Sequence, residues 1–180
     1  MNKAVFCDLD DTLIKVKSNN KFPKTIDDWE LRTEVLDSLY TYMSNNLIGL
    51  ICIVTNQGGV QAGFWKKEQI DSKLEAVRNA VHKYFIEKYN YRIDTDYGVS
   101  YTTNPNDFMR KPNPGLGYQL ATRNRVFLSR CIMIGDADGG EDSHSSDDVD
   151  FANNCVMNFW SVDNFVNIYS NDLYITPTLF

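Results

Sequence analysis

The sequence predicts an open α/β domain built on a mostly parallel sheet flanked by helices. Three observations carry that reading. Short apolar runs rich in Val, Ile, Phe and Cys recur along the chain, longer amphipathic segments separate them, and acidic or hydroxyl residues close the runs. Runs that are continuous rather than alternating mark strands buried on both faces, between layers of helix. Alternating strands and helices then impose right-handed crossovers and put the working residues beyond the carboxyl ends of the strands. A length of 180 residues suits one domain. A chain of this size removes roughly 70% of its unfolded surface from water, enough for a core without staples.

In order along the chain, the first strand covers residues 3–8, where Ala4-Val5-Phe6-Cys7 runs into Asp8. The gap from Thr12 to Thr55 holds a hairpin and then a helix, whose Val35, Leu36, Leu39 and Met43 repeat at three and four residues. The second strand, 49–55, ends at Thr55-Asn56-Gln57. A long helix over 66–89 places Ile70, Leu74, Val77, Val81, Tyr84 and Phe85 on one stripe. Its polar face, with Lys67, Asp71, Lys73, Glu75, Arg78 and Lys83, reads as a solvated surface. The third strand is expected at 97–102, and Pro112-Asn113-Pro114 opens the next helix with Pro114 in its first turn. The fourth strand, 131–136, ends at Gly135-Asp136. A short helix (147–153), a fifth strand (154–159) and a last helix (162–169) complete the pattern.

Composition narrows the function classes. Hydrophobic residues make up 43% and charged residues 23%, which excludes wholesale disorder. The net charge of −6 argues against a general nucleic-acid coat protein, though not against an enzyme acting on one phosphate at one end. Cys7, Cys52, Cys131 and Cys155 lie far apart inside apolar runs, without zinc or redox spacing. Buried free thiols in a reducing compartment are expected. The N-terminal apolar stretch is too short for a signal peptide, and nothing approaches a membrane span. The expectation is a soluble intracellular protein of cytoplasm or nucleus.

The chemistry concentrates at the strand ends. Asp8-Leu9-Asp10-Asp11-Thr12 sets three carboxylates within four residues, which is costly unless something positive compensates them. Taken alone the segment also suits an acidic turn. On an extended strand Asp8 and Asp10 would face the same side. Asp136 closes another strand, and carboxylates converging from two strand ends form an oxygen-rich pocket suited to Mg²⁺. Such a pocket would repel a phosphate, so cationic and hydroxyl groups must join it; Thr55 can donate a hydroxyl hydrogen bond and Lys111 can supply a compact cation, though each taken alone also reads as a strand-end threonine or a surface lysine.

The order Asp8-x-Asp10-x-Thr12, Thr55, Lys111 and Gly135-Asp136 resembles the four signature motifs of the haloacid dehalogenase superfamily of phosphotransferases. Over about residues 5–166 the chain further resembles the phosphatase domain of polynucleotide kinase 3′-phosphatases. The matching stretches are Leu13-Ile14-Lys15, Phe22-Pro23, Asp28-Trp29, Thr55-Asn56-Gln57 with Gly59 and Gly63, and Arg110-Lys111-Pro112 with Gly115. Gly135-Asp136-Ala137-x-Gly139 then leads to Asp142, Ser146-Asp147, Phe151-Ala152-x-Asn154 and Phe165. The chain departs from that pattern at Asp11, where the family usually has glycine, at Gly140, where it often has arginine, and in its short acid-rich stretch 138–150.

The resemblance implies a single Rossmann-like haloacid dehalogenase domain over 1–180 with no large cap. It also implies roles: Asp8 as nucleophile, Asp10 as general acid and base. Thr55, Asn56 and Lys111 would bind the phosphoryl group. Mg²⁺ would be held by the Asp8 carboxylate, the Asp10 backbone carbonyl and the Asp136 carboxylate, with Asp147 or Glu141 orienting metal waters.

Substrate class is partly legible. Lys15, Lys17, Lys21 and Lys24 form an acid-free run after the nucleophile, either a solvated hairpin or a cationic shoulder steering a nucleic-acid backbone. Phe22, Trp29, Phe64 and Trp65 offer stacking surfaces or core packing. The spacings leave no room for a cap domain, and an open site favours a polymer end. Histidinol-phosphate and heptose-bisphosphate phosphatases resemble the chain in Thr-Asn-Gln and Arg-Lys-Pro but usually carry a zinc loop, and residues 92–109 contain neither Cys nor His. No Gly-x-x-x-x-Gly-Lys-Ser/Thr kinase loop occurs. The expectation is a Mg²⁺-dependent phosphatase of DNA or RNA 3′ ends. A phosphatase of nucleotides or sugar phosphates, or a silent module that binds phosphorylated ends, is the alternative.

Overall fold

The computed structural model describes residues 3–18, 20, 22–141 and 143–170. Lys21 and Asp142 of the sequence motifs lie outside them. Five strands, β1 (Val5–Cys7), β4 (Leu50–Asn56), β5 (Asp94–Ser100), β6 (Ile132–Gly135) and β7 (Asn158–Ser161), form one sheet in the order β5-β4-β1-β6-β7. Every pairing is parallel, with Phe6 level with Cys52 on one side and Met133 on the other. Between β1 and β4, the short antiparallel pair β2 (Ile14–Lys15) and β3 (Glu30–Leu31) supplies the expected hairpin, followed by α1 (Thr33–Asn46). The long α2 (Lys67–Tyr89), α3 (Gly115–Asn124), α4 (Asp147–Asn154) and α5 (Val162–Tyr169) provide the remaining crossovers and the final helix.

Both faces of the central strands are covered, as continuous apolar runs require. Val5, Cys7, Ile51, Ile53 and Ile134 point into one cluster with the apolar stripes of α1, α2 and α5, while Phe6, Cys52, Val54 and Met133 point into a second with α3 and α4. All four cysteines are free and buried there. No helix among the described residues is long and apolar enough to cross a membrane.

Two strands depart from expectation because they are the sheet's edges. β5 starts at Asp94 rather than residue 97, since an edge strand tolerates the polar run Asp94-Thr95-Asp96 that periodicity reads as loop. β7 runs from Asn158 to Ser161 rather than over 154–159, because α4 continues through Asn154 and the chain reverses at Val156 with φ +57°.

Candidate active site

The sheet gathers the chemistry at its carboxyl edge. Past the end of β1, the Asp8 amide still donates to the Ile134 carbonyl at 2.9 Å, so the strand's pairing fixes where the Asp8 side chain starts. Its Oδ1 lies 2.5 Å from the Lys111 ammonium, which also holds Asp148 Oδ1 at 2.6 Å. Lys111 is only 3% exposed, and Asp148, in the first turn of α4, only 1%.

Asn56, at the end of β4, accounts for the placement of that lysine. Its Oδ1 accepts from the Lys111 amide at 3.0 Å and its Nδ2 donates to the Lys111 carbonyl at 2.9 Å. A side-chain amide thus pairs with the backbone as a neighbouring strand would, next to a cis Lys111–Pro112 bond. Asn56, expected to bind the phosphoryl group, holds the lysine loop with both ends of its amide.

Asp136 follows β6 and accepts from the Thr12 hydroxyl at 3.5 Å. Carboxylate oxygens of Asp8, Asp136 and Asp148 all lie within 4.8 Å of one another. Burial, reinforced by Asp148, pushes the Asp136 carboxyl up. Burial likewise pushes Asp8 well up against the pull of Lys111, with Asp148 adding to the rise. Burial opposes the charge of Lys111, yet Asp8 and Asp148 outweigh it and hold the ammonium protonated. One ammonium among three carboxylates leaves negative charge uncompensated. A hard divalent cation answers that imbalance, and the donor set is all oxygen. Asp8 and Asp136 from the expected metal set converge here. The acid that joins them is Asp148, whereas Asp147 turns its Oδ2 toward Asn56 at 3.4 Å and Glu141 is exposed. One step along a helix rotates a side chain by about 100°, which separates these neighbours.

Asp10 is not placed by strand alternation. The strand ends at Cys7, the Leu9 carbonyl accepts from the amides of Leu13 and Ile14, and Asp11 turns the chain with φ +58°. The alternation of an extended strand therefore stops before Asp10. Its Oδ1 meets the Lys73 ammonium at 2.8 Å, and its Oδ2 accepts from Gln57 Nε2 at 2.7 Å. The same Gln57 nitrogen donates to Thr55 Oγ1 at 2.8 Å, which ties buried Thr55 to Asp10. Beside Asp10 opens a cavity of about 420 Å³, lined among others by Lys15, Phe22, Gln57, Trp65, Lys73 and His144.

Lys73 corrects the expectation of a solvated α2 face, because it is only 8% exposed and turned toward the site. Its position carried the signal. It stands three residues after Ile70 and four before Val77, on the apolar stripe itself, where a lysine needs a partner. In the hairpin, Lys15 pairs with Glu30 at 3.3 Å, and Asp28 takes hydrogen bonds from the Ser18 hydroxyl and amide.

A parallel sheet carrying an aspartate after its first strand, a threonine near the end of the neighbouring strand β4 and a lysine–aspartate pair beside them defines a phosphatase of the haloacid dehalogenase type. Residues 3–166 match the family described as polynucleotide kinase 3 phosphatase, and the chain belongs to that family. It is 29% identical over 176 residues to an uncharacterized 20.8 kDa protein in the FGF-VUBI intergenic region of Autographa californica nuclear polyhedrosis virus, covering 92% of this chain and 86% of that one. To the polynucleotide 3′-phosphatase of Saccharomyces cerevisiae it is 26% identical over 195 residues, covering 84% and 82%. Among solved structures, the D,D-heptose 1.7-bisphosphate phosphatase from B. bronchiseptica, complexed with magnesium and phosphate, superposes with a TM-score of 0.64 at 19% identity. That match covers 88% of this chain and 79% of the other, and it is a likeness of fold.

Proposed function

We propose that the chain is a Mg²⁺-dependent phosphomonoesterase that removes 3′-phosphates from nucleic-acid ends. The observation that carries this reading is the meeting of Asp8, Lys111 and Asp136 at one sheet edge, in a chain whose family is described by 3′-phosphatase chemistry. The free oxygen of Asp8 attacks phosphorus and the bond from phosphorus to the 3′ oxygen breaks, leaving an aspartyl-phosphate. Asp10 gives a proton to the departing oxygen, then takes one from the water that hydrolyses the acyl phosphate. Lys111 and the Thr55 hydroxyl hold phosphoryl oxygens as charge spreads over them. The Asp8 and Asp136 carboxylates with the Asp10 carbonyl would hold Mg²⁺, and Asp148 anchors Lys111 beside them. When bound, the ion supplies positive charge that keeps Asp8 ionised and offsets the charge of the phosphate.

The test is phosphate release, with Mg²⁺ or EDTA, from a 3′-phosphorylated oligonucleotide, its 5′-phosphorylated isomer, and a panel of nucleoside monophosphates and sugar phosphates. The 3′ isomer should react fastest, EDTA should stop it, and Asp8→Asn should lower turnover by at least about a thousandfold while the protein stays folded. Faster release from free nucleotides or sugar phosphates would instead make the cavity beside Asp10 a small-molecule pocket.

A further inference from the structure

We propose that Lys73 is a positioning residue, which acts on the reaction by aiming the Asp10 carboxylate. The inference rests on the phosphatase roles given to Asp8 and Asp10 above. Lys73 sits on α2 among buried Ile70, Leu74 and Val77, so its ammonium is carried into the molecule on the helix's apolar stripe. Lysine is almost never buried without a partner, and the carboxylate that meets it here is Asp10.

Stability does not account for the pair. The Asp10 side chain is 49% exposed and would be well hydrated alone, while the Lys73 side chain gives up nearly all its water. An apolar side chain at position 73 would serve the core as well or better. What the pair does supply is geometry. Lys73 holds Oδ1 and Gln57 holds Oδ2, so rotation of the carboxylate in either direction breaks one contact. Each oxygen keeps a further lone pair, the one available to the cavity. Because Gln57 also holds Thr55 Oγ1, the aim of Asp10 is referenced to the end of β4, where the phosphoryl group is expected. Asp10, Gln57 and Lys73 all line that cavity, so in the reaction proposed above the group leaving phosphorus would depart on this side. A proton donor displaced by even about 1 Å loses much of its effect, so holding it carries a kinetic value that a stability measurement does not see.

The test uses Lys73→Met and Lys73→Arg in the full chain with Mg²⁺. Single-turnover phosphoryl transfer is followed across leaving groups from 4-nitrophenol, which departs without a proton, through phenol to an alkyl alcohol and a 3′-phosphorylated oligonucleotide. Lys73→Met should lose at least about tenfold on alkyl and oligonucleotide substrates and less than about threefold on 4-nitrophenyl phosphate, because only the basic leaving groups need Asp10 as acid. Its KM values should move less than its rates, Lys73→Arg should recover most of the loss, and the melting temperature of Lys73→Met should not fall. A loss uniform across the series, or no loss, overturns the positioning role while the phosphatase reading stands. Silence of the wild type on the whole series overturns the roles of Asp8 and Asp10, and this inference with them.

Discussion

Asp11 holds a left-handed φ of +58° at the turn that separates Asp8 from Asp10. The turn is enforced from outside, because Arg32 Nη1 donates to the Asp11 carbonyl at 2.6 Å, a contact that needs no particular side chain at 11. A Cβ in that conformation is strained by about 1–2 kcal/mol, somewhat less for Asp than for most residues. Glycine removes the strain but gives back roughly 0.5–1 kcal/mol in unfolded-state entropy. Asp11 also adds to the rise of the Asp136 carboxyl, so its charge works against the acidic cluster. Asp11→Gly should therefore gain a few tenths to about 1 kcal/mol, raising the melting temperature in EDTA by about 1–3 °C. A fall would show that the Asp11 carboxylate anchors the loop rather than crowding it.

Residue by residue, the site was legible where chemistry stood at the end of an apolar run, as at Asp8, Thr55 and Gly135-Asp136. Lys111 was legible as a compact cation suited to a phosphate pocket, but its burial was not, since nothing in its own run marks a buried lysine. Lys73 was misread because its charge was weighed by residue type rather than by its place on the stripe. Asp148 was missed because adjacent aspartates look alike until the helix phase is known.

Among the elements, the junction of β6 with α4 carries a tight constraint. A Cβ at Gly135 would clash with the Asp148 side chain. That close approach lets Asp148 Oδ2 accept from the Ala137 amide at 3.1 Å while Oδ1 reaches Lys111. Gly135→Ala must push the first turn of α4 away from the sheet. The Lys111–Asp148 contact opens, and a buried ammonium loses one of its two partners. Breaking a buried charge pair in this way costs about 3–5 kcal/mol. The variant should melt well below the wild type, and the folded fraction at low temperature should retain less than about a tenth of the turnover. Wild-type turnover in Gly135→Ala would show that the Lys111–Asp148 contact is dispensable. The same scale explains which elements the sequence revealed. Strands covered on both faces announce themselves by continuous apolar runs, whereas β5 and β7 have one free edge and could not be bounded by periodicity.

Taken whole, the molecule carries a net charge of −6, so any attraction for a nucleic-acid backbone must be local. The hairpin after the nucleophile was the candidate for that attraction, and its charges are largely answered from within. Lys15 is paired with Glu30. Hydrogen bonds from Ser18 hold the Asp28 carboxyl low, and Lys17 adds to the effect, so this acid stays ionised beside the lysines it faces. Lys17 and Lys24 are exposed beside the Asp28 carboxylate, and Lys21 lies outside the described residues. Binding to a single strand weakens with salt by about 0.7 logarithmic units per neutralised phosphate. A shoulder of four lysines would give a slope of log kcat/KM against log salt near about −3, whereas one or two effective contacts give about −1. The expected slope for a 3′-phosphorylated oligonucleotide is between about −1 and −1.5, and Lys17→Ser with Lys24→Ser should flatten it by at least about half a unit. A slope near −3 would restore the cationic shoulder. A slope unchanged by the double substitution would move the backbone contacts off Lys17 and Lys24, to the Lys15 and His144 rim of the cavity beside Asp10.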